Sequence, residues 1–568
     1  MDASPFSSHI GTHYTPTSDE ANQIKGFISA KIARIAEVDQ EIEKLKALRS
    51  DLTLEIEDHR SLLSPIHHLP VDVLQEIFAA CLPITHNPVV SRYEAPLLLT
   101  QVCRNWRDIV LSTPHFWSAI HIPIPSLPLD PISHSLPADG LSNYLDGLLS
   151  LIRERMAAVH AWLERSKGSP LSISVFDNGN CPKEVCDIVL DTIIHFSPRW
   201  KHLQLDTHSC DLTRIACLTP SEIPQLVSLV IENEFSTEIP LVTGPSPNAV
   251  PFAWSTSRII QAPKLQELVF IRPTENIVEF PLRWSQMTCI SLGSISSSRP
   301  LVTAALSLKQ VAFILRSCPQ LVWCGLEILL LAGHPDENQS PIHLASLESF
   351  CFHDSGVDVS SLFSILDFPS LKYLRFHSTS REGWTHSPLD NLLPRITTLE
   401  RLTTEPRFFT QGHYIKNLGH MSRLTSISIR WSPFFRTPDW SPIFENGGDR
   451  DKVISDELFT WFTTPDAEGV YPVPALEHFE CYTTSEFTDS ALVNFIKKKY
   501  SLPGIRPLKK IYIVFARPQI LDVVEEIGEE ISRQLDHDLR YPFSAASLLK
   551  APVVFHPFDG IHHYHTTF

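Results

Sequence analysis

A short apolar phrase recurs along most of this chain and restricts the folds available to it more than any other feature. The phrase has the form L-x-x-L-x-L or a close variant, in which apolar and polar positions alternate as in a half-buried β-strand. Most successive copies begin 22 to 34 residues apart, and apolar helical stretches precede several of them. A unit of this size cannot bury its apolar face alone, so we expect the repeats to stack on one another. The eleven copies begin at Trp200, Leu226, Leu265, Met287, Leu321, Leu347, Leu371, Leu399, Leu424, Leu476 and Leu508.

This repeat length is typical of leucine-rich repeats, in which each unit supplies one strand to a curved parallel sheet. We therefore predict an α/β chain in which residues 144–540 form a leucine-rich-repeat-like solenoid with its strands on the concave side. The asparagine that many such repeats carry is mostly absent, so the array is degenerate. An ordinary α/β domain is the alternative. A Pro-rich linker, 121–143, precedes the array, and a polar tail, 541–568, follows it.

A heptad pattern lies near the N-terminus. Apolar residues recur at positions equivalent to a and d of a coiled coil, namely Ile28, Ile35, Val38, Ile42, Leu45, Leu52, Ile56 and Leu63. We predict a coiled-coil helix over 24–64, after a disordered tail over 1–23. Arg49 at an a position weakens the seam. The helix therefore either forms a weak homodimer or folds as a single amphipathic helix onto the next domain.

Two short apolar helices are predicted between the heptad helix and the linker. Pro70 suits the first turn of a helix, and Asp72 complements the positive end of the helix. The first apolar stripe comprises Val71, Leu74, Ile77, Phe78 and Cys81, and the second comprises Leu99, Val102, Cys103, Trp106, Ile109 and Val110. A module of this size has little interior. Part of both apolar stripes is therefore exposed to water unless another surface covers it.

This segment resembles an F-box. The resemblance is carried by Leu69-Pro70, Leu74, Ile77-Phe78, Val102-Cys103-Arg104, Trp106-Arg107, Ile109, Pro114 and Phe116-Trp117. With the heptad helix before them, these residues are similar to the large fungal class of F-box-like proteins. The stretch LPITHNPVVSRYEAP between the two helices is longer than the usual F-box turn.

The resemblance implies a small helical module, here residues 65–120, that docks on a Skp-family adaptor of a cullin-RING ubiquitin ligase. It places the adaptor-binding residues at Leu69, Pro70, Leu74, Ile77, Phe78, Val102, Cys103 and Trp106. Within this set we expect Leu69, Pro70 and Ile77 to contact the adaptor, whereas Val102 and Trp106 are expected to pack inside the chain.

The residues beside the apolar positions of the repeat phrase are predicted to point to the concave surface. The early repeats place acidic and amide side chains there, namely Gln204, Asp206, Glu232 and Glu267. The fifth to ninth repeats place a basic and aromatic set there, namely Trp323, His353, Tyr373, Arg375, His377, Arg401 and Arg430. On a chain of net charge -17 this set is unusual. We predict that it binds an acidic or phosphorylated segment of a target protein, because arginine forks match carboxylate and phosphate oxygens. The alternative is a solvated face of mixed charge.

Composition and missing motifs disfavour several function classes. The negative net charge argues against binding to nucleic acid or anionic membrane. No secretory signal is visible, so we expect a cytoplasmic or nuclear protein with reduced thiols. We find no phosphate loop, nucleophile elbow or zinc-protease helix, and therefore expect no catalytic residue and no cofactor. The nearest metal candidates are Cys181, Cys186, His195, His202, His208, Cys210 and Cys217, whose spacing fits no common zinc module, so no metal is expected.

Together these features predict the substrate-recognition subunit of an SCF-type ubiquitin ligase, with the repeats binding an unknown target protein. A non-catalytic scaffold, in which the F-box-like part is only a structural cap, is the alternative. A hydrolase built on the repeats is a third candidate, although no motif supports it.

Overall fold

A computed structural model describes 5–63, 65–124, 138–177, 181–207, 210–232, 254–271, 276–293, 306–328, 340–354, 358–378, 386–410, 412–419, 421–430, 454–485, 487–515 and 517–541. The chain divides into two compact units, Met1–Ile77 and Phe78–Phe568. Most of the predicted tail 541–568 and much of the linker lie outside the described residues. Among those that are described, none of the helices combines the length and the apolar character that a bilayer-spanning segment needs.

The helices are α1 Ser18–Leu62, α2 Val71–Ala80, α3 Arg104–Ser112, α4 Ala138–Arg165, α5 Lys183–Ile194, α6 Thr213–Ala216, α7 Leu308–Ser317, α8 Ser360–Ile365, α9 Pro406–Thr410, α10 His413–Leu418, α11 Glu457–Phe462, α12 Asp489–Ser501, α13 Val523–Ile527 and α14 Glu529–Ser532. The strands are β1 Ala119–Pro123, β2 Leu171–Phe176, β3 Trp200–Asp206, β4 Ser228–Glu232, β5 Glu267–Ile271, β6 Cys289–Leu292, β7 Trp323–Ile328, β8 Ile342–His343, β9 Ser349–Asp354, β10 Leu366–Asp367, β11 Tyr373–Ser378, β12 Arg401–Thr404, β13 Ser426–Ile429, β14 His478–Ser485, β15 Lys510–Phe515 and β16 Asp536–Arg540.

The first unit is dominated by α1, a helix of 45 residues and therefore about 67 Å long. It begins earlier than the heptads predict because a capping box closes its first turn. The Thr17 backbone N–H donates to Glu20 Oε2 at 2.8 Å, and the Glu20 N–H donates back to Thr17 Oγ1 at 3.5 Å. The predicted helix over 24–64 is confirmed as a helix. Its heptad residues are exposed, with Ile35 at 60% and Ile42 at 42%, so its pairing with another copy stays a prediction.

The second unit is built on one sheet of fourteen parallel strands. The strands lie side by side in chain order from β1 to β16, and only β8 and β10 leave this sheet to form a small pair of their own. Every connection therefore moves in the same direction across the sheet. Since parallel crossovers are right-handed, the described connections are expected on one face of the sheet, and the opposite face of the described strands is the second side.

We call this second side the polar face; it carries Tyr373, Arg375 and His377 of β11 and the residues in register with them on neighbouring strands. The intervening Leu374 and Phe376 are both 0% exposed and point to the side of the connections. The alternation predicted from the repeat phrase therefore separates the core from the polar face.

All eleven phrases form strands of the large sheet. The first strand begins at Trp200 itself, and each of the other ten begins two residues after the first residue of its phrase. Strands β1 and β16 were not predicted. β1 crosses the boundary between the predicted F-box-like module, 65–120, and the predicted linker, 121–143. Its apolar alternation is short and is interrupted by prolines, so the sequence indicates a strand there only weakly. β16 carries charged residues at the sheet edge, a composition that discourages pairing with other chains.

The long connection between α2 and α3 covers the other edge of the sheet. Val89 forms a parallel bridge with His121 of β1, and the His121 N–H donates to the Pro88 carbonyl at 2.8 Å. Asn87 accepts from Ser172 Oγ at 2.9 Å and donates to Ser174 Oγ at 3.2 Å. This connection is longer than an F-box turn because part of it protects the exposed edge of β1.

Candidate protein-binding surfaces

The F-box-like residues of the first unit separate into buried and exposed members. On α2, Leu74 is 2% exposed, whereas Val71 and Ile77 are 54% and 38% exposed. Leu69 is half-buried and Pro70 is exposed just before the helix. Leu74 is therefore buried, and its contact with an adaptor stays a prediction. Leu69, Pro70 and Ile77 remain accessible.

The F-box-like residues of the second unit separate in the same way. Phe78 is 0% exposed, and its ring lies 4.6 Å from that of half-buried Trp106. Cys103 caps α3, since its thiol accepts from the Trp106 N–H at 3.5 Å. Phe78 is therefore a buried residue, and its contact with an adaptor stays a prediction. Val102, which we expected to be buried, is instead 57% exposed, and the expectation of a core role for Val102 is wrong.

The structure brings the seven predicted target-binding residues together on the polar face. Trp323 and Tyr373 both pair in register with Ser349 of β9, and Arg401 of β12 pairs in register with Tyr373. His353 and His377 are register partners, and Arg375 shares β11 with His377. Arg430 extends β13, where its N–H donates to the Thr404 carbonyl at 3.0 Å. We call these seven residues the basic cluster. Their binding of a target stays a prediction.

Not all of the cluster carries available positive charge. His377 is 3% exposed, and its burial, reinforced by Arg375, His353 and Arg430, holds the pKa of its imidazole well below the usual range. His377 is therefore neutral at physiological pH and accepts from Arg375 Nε at 3.3 Å. The positive charge of the cluster comes from its arginines.

Acidic residues that the sequence analysis overlooked contact two members of the cluster. His353 Nδ1 lies 3.2 Å from Glu327 Oε1, and Arg430 lies 3.5 Å from Glu480. Glu480 occupies a polar position of its repeat phrase and Glu327 directly follows the last apolar residue of its phrase, so the alternation in the sequence locates both acids. Among the described residues, Arg375 has no ion pair, and the Arg401 guanidinium stacks over the Tyr373 ring at 4.9 Å. Arg375 is thus the member best placed to bind an anionic group, and Arg401 lies on the neighbouring strand of the same face.

The acidic end of the polar face lies on β3 to β5, as predicted. Asp206 and Glu232 are register partners, and Gln204 and Glu267 lie on the same face. Asp206 is 5% exposed, and burial, followed by the charges of Glu232 and Asp177, raises the pKa of its carboxyl to about 8. The polar face therefore has an acidic section and an arginine-rich section separated by several strands.

Two groups of residues offer metal-ligand atoms within 4.8 Å of one another. One is exposed and consists of His160, Glu164 and His195; the other is buried and consists of Asp177, Cys186 and Cys210. Of the metal candidates named from the sequence, His195 thus belongs to the exposed group, whereas Cys186 and Cys210 belong to the buried group. His208 lies outside the described residues.

No family model matches the sequence, and no curated protein matches it.

Proposed function

We propose that the chain is the substrate-recognition subunit of an SCF-type cullin-RING ubiquitin ligase. The observation that carries the proposal is the division of the F-box-like apolar residues into a buried set, Leu74 and Phe78, and an exposed set that includes Ile77 and Val102. Exposed aliphatic side chains of this kind favour a protein partner. The partner would be a Skp-family adaptor, and the compartment would be the cytoplasm or nucleus.

We further infer that residues 144–540 form a leucine-rich-repeat-like solenoid. The inference is supported by the one-to-one match between repeat phrases and strands and by their neighbour order in the sheet. A solenoid of this kind presents one uninterrupted strand face to a ligand. Here that face carries the basic cluster, and Arg375 and Arg401 would bind an acidic or phosphorylated segment of the target.

The receptor itself would perform no chemistry. Holding a target lysine near a ubiquitin-charged enzyme raises the effective concentration of the two reactants. To act as such a receptor, this chain therefore needs two independent binding surfaces, one for the adaptor and one for the target, on a folded scaffold.

The adaptor contact is tested by replacing Leu69 and Pro70 with Ala in the full chain. Co-precipitation with a Skp-family adaptor should fall by at least about tenfold, because truncation of central interface residues typically costs about 2 kcal/mol or more. The matched control replaces Ile415 and Val470, which are 56% and 52% exposed and lie outside the F-box-like segment. Adaptor binding that is equal in both variants would refute the docking role.

The target contact is tested by Arg375→Glu together with Arg401→Glu. The control is the pair Lys497→Glu and Lys498→Glu, which makes the same charge change at exposed positions of α12. Mass spectrometry should show lower recovery of target proteins for the first variant only, and wild-type recovery should fall with added salt. If recovery of target proteins is unaffected by both the charge reversal and the added salt, the target binds elsewhere on the chain.

The scaffold alternative is favoured by one observation, the exposed heptad seam of α1. A scaffold of this kind would self-associate and would show no adaptor binding in the first experiment. The two proposals therefore give opposite results in the same assay.

A further inference from the structure

Three thiols and a carboxylate converge where β2, α5 and β3 meet. Asp177 directly follows β2, Cys181 and Cys186 lie before and within the first turns of α5, and Cys210 follows β3. The sequence separates Cys186 from Cys210 by a whole strand, and Asp177 carries no motif signal. Only the fold brings the four side chains to one place.

Three members of the group are buried, and their polar atoms are close together. Asp177 is 0% exposed, and Cys186 and Cys210 are each 1% exposed. The ligand atoms of these three residues lie within 4.8 Å of one another, and Cys210 Sγ is 4.0 Å from Asp177 Oδ2. Cys181 is half-buried, and its thiol donates to the Pro182 carbonyl at 3.5 Å. Three buried candidate ligand atoms therefore surround one small volume, and Cys181, which interacts electrostatically with Cys186 and Asp177, is the candidate for the fourth.

From this geometry we infer that Asp177, Cys181, Cys186 and Cys210 form a structural zinc site. Thiolate and carboxylate are both ligands of Zn²⁺, and structural zinc sites are four-coordinate and closed to solvent. Ligand atoms placed about 2.3 Å from zinc at tetrahedral angles lie about 3.8 Å from each other. The separations among Asp177, Cys186 and Cys210 are at most 4.8 Å and need to contract by about 1 Å or less to reach that value, while the Cys181 side chain would turn toward them to complete the set.

The surroundings of the group favour a cation. Asp206 and Glu232 lie at the neighbouring strand ends, and the Asp177 N–H donates to the Asp206 carbonyl at 2.9 Å. These neighbouring carboxyl groups attract a cation. Zinc would join the ends of β2 and β3 to α5.

The exposed group His160, Glu164 and His195 lacks this burial. Its side chains are solvated, and it supplies three ligand atoms and no thiolate. It serves as the internal control for adventitious metal binding at the surface.

The test uses the full chain, purified under reducing conditions, exchanged into metal-free buffer and titrated with Co²⁺ and then Zn²⁺. We expect one tightly bound equivalent, with near-ultraviolet sulfur-to-cobalt charge-transfer bands and visible bands typical of tetrahedral Co²⁺. Zn²⁺ should bleach both sets of bands. His160→Ala with His195→Ala should leave the spectrum unchanged, as should Cys217→Ser at an exposed thiol seven residues from Cys210.

Variants at the site assign the ligands. Cys186→Ser with Cys210→Ser should abolish the charge-transfer bands. Asp177→Cys should keep one equivalent of Co²⁺ and raise the charge-transfer intensity by about one third, because four thiolates replace three. This second variant keeps the assignment testable if the double serine variant does not fold.

Several results would overturn the inference. Wild-type protein without charge-transfer bands would do so, because the test does not depend on any variant. Bands that persist in the double serine variant, or that vanish with the histidine pair, would place the metal elsewhere. A Cys186–Cys210 disulfide found by mass spectrometry of freshly purified protein would show that these thiols bind each other instead.

Discussion

A buried lysine in α12 gives the sharpest stability prediction. Lys499 is 2% exposed, and burial lowers the pKa of its ammonium group to about 7, while attraction to Glu477 opposes this only in part. Glu477 is already engaged by Arg506 at 3.1 Å and Lys509 at 2.8 Å. Lys499 therefore loses most of its hydration, and among the described residues it has no hydrogen bond or ion pair to replace that hydration.

The direction of the pH dependence follows from the two pKa values. The unfolded chain holds the Lys499 proton up to its usual pKa of 10.5, whereas the folded chain releases it near 7. Stability therefore falls as the pH drops from 10.5 toward 7 and levels off below that range. Between about pH 7 and about pH 9, this one group should raise the free energy of unfolding by about 2 kcal/mol.

The perturbation is Lys499→Met, which keeps the length of the side chain and removes the titration. Urea unfolding followed by tryptophan fluorescence should show the variant to be more stable than wild type near pH 7. This advantage should shrink by about 2 kcal/mol near pH 9. Exposed Lys498→Met is the control and should show no such change. A difference between wild type and Lys499→Met that is independent of pH would refute the argument.

Three further changes have defined outcomes. Asp489→Asn should destabilise the C-terminal end of the sheet by about 2 kcal/mol at neutral pH, measured as faster amide exchange in β16. Burial alone would raise the pKa of the Asp489 carboxyl, but hydrogen bonds from Arg517, the 520 and 521 amides and Tyr541 hold that pKa at about 2. The stabilisation by ionised Asp489 should therefore be lost as the pH falls from 3.8 toward 2. Gly293→Ala should lower the urea midpoint more than Gly469→Ala. Both glycines have positive φ, +133° and +80°, but a Cβ at Gly293 would overlap that of Glu327, whereas a Cβ at Gly469 meets nothing within 4 Å. Ile42→Asp should make the full chain monomeric in sedimentation if α1 pairs through its heptad seam; a wild-type chain that is already monomeric would rule out the homodimer.

The candidate site was only partly predictable from sequence. Alternation located Arg375 and His377 on one face because a strand fixes the direction of every second side chain. It did not show that burial keeps His377 neutral, or that Glu480 engages Arg430, since both depend on strands far apart in the sequence. The exposure of Val102 was misjudged for a related reason: helical spacing identifies an apolar stripe but not which part of it the rest of the chain covers.

The sequence by itself determined the local elements of this protein. The repeat phrase specified the eleven strands from β3 to β15 that join the large sheet, and the heptads specified α1, because both patterns have the period of the structure they form. Tertiary structure alone decided how β1 is covered by residues 87–89 and how Asp177 comes to lie beside Cys210. These contacts join segments whose separation in the chain leaves no periodic signal, and their geometry is set by the register of neighbouring parallel strands.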